Sequence, residues 1–170
     1  MAEIRKAKPK ASIGAAKNQE LAKAFAWEVA AANVYFQEIR HFWAKILGIS
    51  GPQWMILMAL SDLDKGEGVS VKEVSKMLHV DASFVTTQSK MLEKKGFMRR
   101  RTSDDDARVV NMSLTDKSYK QIASLASRQE KLNAFIFEDF SYEDLQTFVA
   151  KLASLNSRLE KASVRVALDI

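Results

Sequence analysis

A chain of 170 residues, 47% of them hydrophobic, is long enough to bury a good core and too apolar to be disordered. It has no cysteine, which excludes disulfide scaffolds, cysteine-based zinc sites and thiol redox switches. The net charge of +5 is uneven: residues 72–101 carry eight basic and three acidic side chains and residues 1–20 carry five and two, so two segments favour polyanions.

The start, MAEIRKAKPKASIGAAKN, is polar and rich in alanine and lysine, so residues 1–18 read as a flexible basic arm. It lacks the apolar stretch of a secretory signal. No apolar run approaches the about 18 residues of a membrane span, and a cytoplasmic protein with no membrane partner is expected. From Leu21 an apolar stripe runs through Phe25, Val29, Ala32, Phe36, Ile39, Trp43 and Ile46. Its steps of three and four predict one long amphipathic helix, ended at Gly48. Trp27, Tyr35 and Phe42 lie off the stripe, and a second apolar surface suggests another subunit.

Ser50-Gly-Pro-Gln53 is a capping box with proline near the first helical position, and the WMILMAL that follows is apolar all round, as in a buried helix. After a polar loop, Asp62 to Gly68, a second capping box, Ser70-Val-Lys-Glu73, opens a short helix with Val71, Val74 and Leu78 inward. Asp81 caps a further helix that runs from Ala82 to about Lys95 and stops at Gly96. There Val85, Ser89 and Leu92 face in, leaving Ser83, Thr86, Thr87, Gln88 and Lys90 more exposed. Phe97-Met98 and Val109–Leu114 read as two strands around the tip DDDAR. Thr115 caps a helix to about Phe140, and Ser141–Asp144 restarts the chain into a last helix to about Val166. The apolar residues of these two helices exceed what a small module can cover, so pairing with another subunit is expected.

Helix, turn, helix and hairpin in that order make a winged helix. The predicted fold is mostly α with a small β wing: a winged helix-turn-helix over 50–115, flanked by long dimerisation helices at 19–47 and 116–168. A major groove roughly 12 Å wide admits one helix. Ser83, Thr86 and Thr87 can meet phosphates or base edges, and Gln88 can pair with adenine in a bidentate way, through the oxygen and nitrogen of its amide. Lys90, Lys94, Lys95 and the run Arg99–Arg101 suit the phosphate backbone, and Arg108 suits a minor groove. Asp104-Asp105-Asp106 is read as structural, one aspartate tethering Arg108 or capping the turn, rather than as a metal or acid–base site, because adjacent loop carboxylates diverge and no histidine is near. His79 is expected in the turn of the motif, as a structural or phosphate-contacting residue. No cofactor, metal or catalytic residue is expected: nucleophile elbow, paired metal ligands and glycine-rich phosphate loop are all missing. A winged helix used for protein contact within a larger assembly is the alternative.

At the wing the chain resembles the MarR family of bacterial transcription regulators. The family signature stands here as Asp106, Arg108, Met112, Leu114 and Thr115, and an upstream pattern as Ser83, Val85, Thr86, Leu92, Glu93, Lys95 and Gly96. With the helix order, the resemblance covers roughly residues 20–166. It implies a homodimer on a pseudo-palindromic operator, and for many members a repressor released by a small aromatic acid. It also implies Asp106 as the wing's structural aspartate. Family ligands bind between the dimerisation helices and the winged module, where this chain has Arg40, His41, Trp43 and Trp54. An aromatic floor with cationic groups suits an aromatic carboxylate or its CoA thioester. The plainer reading has both tryptophans in the core and Arg40 and His41 on the surface. Ala107 and Thr87 stand where many members have arginine, which lowers the expected contact strength, and the absence of cysteine argues against the peroxide-sensing branch.

Overall fold

The computed structural model describes residues 10–168, with side chains from residue 18 onward. Six helices and three strands follow in order: α1 (Lys10–Ile46), α2 (Gly51–Leu63), β1 (Val69–Ser70), α3 (Val71–Leu78), α4 (Ala82–Lys94), β2 (Met98–Thr102), β3 (Val110–Leu114), α5 (Asp116–Ile136) and α6 (Tyr142–Leu168). Residues 1–9 of the expected arm lie outside the described residues. Residues 10–18 differ from expectation and form the first turns of α1. Alanine and lysine are strong helix formers, so a stretch without an apolar period can still be helical when a stable helix follows it.

The chain divides between Gln121 and Ile122 into two compact units. In the first unit the core is built on α2. Trp54, Ile56, Leu57, Ala59 and Leu60 are buried there, beside Val74 of α3, Val85 and Leu92 of α4, Met98 of β2 and Met112 of β3. Only the last turns of α1 join this core, through Trp43 and Ala44; Leu21, Phe25, Val29 and Phe36 are exposed. In the second unit, the apolar residues Phe148, Leu152 and Leu159 of α6 are likewise exposed. Among the described residues no single helix is long and apolar enough to cross a membrane.

The expected caps form as hydrogen bonds. Ser50 Oγ accepts from the Gln53 amide at 3.4 Å, and Gln53 Oε1 accepts from the Ser50 amide at 3.2 Å. Ser70 and Glu73 do the same at 3.2 and 2.9 Å. At the end of α4, Gly96 takes φ +74, Phe97 N–H donates to Leu92 O at 3.0 Å and Gly96 N–H to Glu93 O at 2.9 Å. This pair of hydrogen bonds closes the helix and turns the chain into β2. At the start of α5, Thr115 Oγ1 accepts from the Ser118 amide at 3.3 Å and donates to Gly96 O at 2.9 Å. The buried Ser118 hydroxyl donates to Phe97 O.

The sheet has one strand more than expected. Its order is β1-β3-β2, antiparallel throughout, with Val69 opposite Met112 and Arg100 also opposite Met112. β1 is two residues long, too short to show a period of two. It is made possible by Gly68 at φ +78, where an added Cβ would lie 3.4 Å from the Asn111 side chain and the Met112 carbonyl of β3.

Candidate nucleic-acid interface

Helix α4 starts on Asp81, whose Oδ1 accepts from the Ser83 amide at 2.8 Å. Bonds from the Ser83 amide and then its hydroxyl hold the Asp81 carboxyl below its ordinary pKa. Val85, Ser89 and Leu92 are buried, as the spacing predicted. Ser83, Thr87 and Lys90 are exposed and Thr86 is half-buried. The hydroxyls of Thr86 and Thr87 donate back to Ala82 O at 2.9 Å and Ser83 O at 3.0 Å. Their free lone pairs are acceptors.

Two side chains depart from the expected arrangement. Gln88 is half-buried, and its Oε1 accepts from Gln53 Nε2 at 3.2 Å. It therefore does not present a free carbonyl and a free amide together, as bidentate pairing with adenine requires. The reason is Gln53, a buried polar residue 35 positions away in sequence whose amide needs an acceptor. Lys95 turns back across the corner between α1 and α2, donating from Nζ to Gly48 O at 2.8 Å, rather than reaching outward. His79 ends α3 in the left-handed region, φ 51 and ψ 43.

At the wing tip Asp106 Oδ1 accepts from the Arg108 amide at 2.9 Å and from its Nε at 3.2 Å, while Oδ2 accepts from Nη2 at 3.4 Å. Both readings of the tip aspartate thus meet in one residue: Asp106 closes the turn and holds the guanidinium. The backbone bond, then the side-chain bond, lowers the Asp106 pKa. The Arg108 side chain is nonetheless 91% exposed. Asp104 and Asp105 are exposed, and the Asp105 amide donates to Ser103 Oγ at 3.3 Å. Among the described residues no group of His, Cys, Asp or Glu is placed to hold a metal ion. Along β2 the side chains alternate. Arg99 and Arg101 lie opposite Ser113 and Asn111 and are exposed, whereas Arg100 is half-buried, its amide donating to Glu93 Oε1 at 3.0 Å.

A cleft of about 860 Å³ opens between α1, the start of α2 and the α3–α4 corner. Arg40 and His41 line it from α1, with Met55 from α2 and Leu78, Val80 and Phe84 from the helix-turn-helix. Arg40 Nη1 meets Met55 Sδ at 3.8 Å. The expected aromatic floor is corrected here. Trp43 and Trp54 are 7% and 3% exposed and belong to the core, where large indole surfaces contribute most. The aromatic wall is Phe84, 39% exposed, on the outer side of α4 beside inward Val85. An apolar ring at an outward position was the signal in the sequence that marks it.

Residues 49–110 match the family model described as the MarR family. The chain is similar to the HTH-type transcriptional regulator YdgJ of Bacillus subtilis, 27% identical over 112 residues that span 66% of each chain. It is also similar to the HTH-type transcriptional repressor YetL of Bacillus subtilis, 30% identical over 113 residues, again 66% of each. Among solved structures, the S. aureus MepR–DNA complex shares the fold at a TM-score of 0.69 and 18% identity, covering 79% of this chain and 96% of that one. A winged helix-turn-helix with this signature, this sheet order and these relatives places the protein: it belongs to the MarR family of transcriptional regulators.

Proposed function

We propose that this chain is a homodimeric, sequence-specific binder of double-stranded DNA, a repressor that leaves a pseudo-palindromic operator when a small molecule fills the cleft at Phe84. The observation that carries DNA binding is Arg108, an exposed guanidinium held at the wing tip by Asp106. A cation fixed at a hairpin tip suits the negative potential of a narrow minor groove. The same reading gives Ser83, Thr86, Thr87 and Lys90 to the major-groove helix, and Arg99 and Arg101 to the phosphates. It is supported by the MepR relative, which is known in complex with DNA. The repressor role is supported by the name of YetL. Dimerisation is supported by the long helices, 19–47 and 116–168, whose large apolar side chains are exposed in the single chain. The basic residues at the start, 1–18, extend the electrostatic reach.

The effector reading rests on the cleft: apolar walls from Phe84, Met55 and Leu78 with Arg40 and His41 at α1 fit an aromatic carboxylate or its CoA thioester. Two measurements test the proposal. Affinity for duplex DNA should fall steeply between low and moderate salt; binding that ignores salt overturns the DNA reading. Calorimetry against a panel of aromatic acids and thioesters should give heat and release the DNA; no heat and no release overturn the effector reading alone.

A further inference from the structure

Gln53 is 1% exposed, and both ends of its amide are in use. Its Oε1 accepts from the Ser50 backbone amide at 3.2 Å, and its Nε2 donates to Gln88 Oε1 at 3.2 Å. A backbone N–H can only donate, so Ser50 fixes which end of Gln53 is which. The Gln53 amide nitrogen must then face Gln88, and Gln88 must answer with its oxygen. What remains to half-exposed Gln88 is its Nε2, which has no hydrogen-bond partner among the described residues. The cap of α2 therefore sets the polarity of one side chain on α4, 35 residues further along.

We infer that Gln53 is a specificity-determining residue for DNA: by holding the Gln88 carbonyl inward, it turns the Gln88 NH₂ group outward as the leading contact, which prefers guanine in each half-site. Guanine shows two acceptors in the major groove, N7 and O6, and an NH₂ group can serve both. Adenine shows one acceptor beside the N6 amino group, which would face the Gln88 amide donor to donor. This inference rests on the proposed DNA-binding role of α4.

Selection of duplexes from a library randomised across both half-sites, by the full chain and its variants, tests it. The wild-type chain should favour guanine over adenine at one position of each half-site by about tenfold, a usual size for one such contact. Gln88→Ala should erase that preference and leave the others. Gln53→Glu keeps an acceptor for the Ser50 amide, in a first helical turn that favours a carboxylate, but offers Gln88 only acceptors. Gln88 must then turn its amide inward and its oxygen outward, and the preference should move to a base presenting an amino group, cytosine through N4 or adenine through N6. Gln53→Met, which removes both bonds, frees Gln88 for adenine and serves if the glutamate variant does not fold, as read by circular dichroism. Folded variants that keep normal affinity and an unchanged guanine preference overturn the inference and leave the DNA reading intact. So does an adenine preference in the wild type, or uniform weakening by Gln88→Ala. A wild-type chain without salt-dependent duplex binding overturns the DNA reading itself, and this inference with it.

Discussion

Arg108 and Asp106 are two residues apart and do different jobs. Arg108→Ala is expected to weaken binding to all duplexes and to reduce the slope of log affinity against log salt by about one unit, measured by anisotropy titration. Asp106→Ala leaves the charge in place but frees the guanidinium, so affinity should fall less and the salt slope should stay. The tether has a defined pH window. The folded pKa of Asp106 lies below its ordinary 3.8, so its contribution is complete above that value and is lost as pH falls through the lowered pKa. Wing signals followed by NMR should therefore not change between pH 8 and 5, and should change only in stronger acid. The pairing was legible because both partners sit in one turn. Gln88 was not, since its orientation depends on a buried amide far away in sequence. Trp43 and Trp54 misled for a related reason: stripe position and aromatic character mark core and ligand wall alike, and only packing separates them.

At the scale of elements, the caps carry the clearest predictions. Ser70→Ala removes the acceptor for the Glu73 amide, and urea unfolding should show a loss of about 1 kcal/mol. Gly96→Ala has open space for its Cβ, so its cost comes from the backbone at φ +74 and should also be about 1 kcal/mol. Both elements were readable because their signals lie within four residues. The two-residue β1 was not, because it exists only through its pairing with Asn111 and Met112 of β3. The first turns of α1 escaped because a run rich in alanine and lysine has the propensity of a helix without the stripe.

For the molecule as a whole, the apolar stripe of α1 is the feature most in need of a partner. Phe25→Glu combined with Phe36→Glu changes two exposed side chains, so the fold of the first unit should persist. If the stripe joins two copies, the double variant should sediment as a monomer. Its affinity for a palindromic duplex should drop by about a hundredfold or more, as avidity is lost. Sedimentation unchanged from the wild type counts against α1 as the dimer seam.

Phe84 stands one residue from Ser83 and three from Thr87, yet its ring walls the cleft. A lineage adapting the cleft to a new molecule will therefore alter a helix that also faces outward. If the cleft takes an inducer, as proposed, inducer range and operator choice are joined by heredity. Selection for the first should repeatedly recover altered preference in the second, and compensating changes in promoters should follow substitutions at this position more often than those at Met55 on α2.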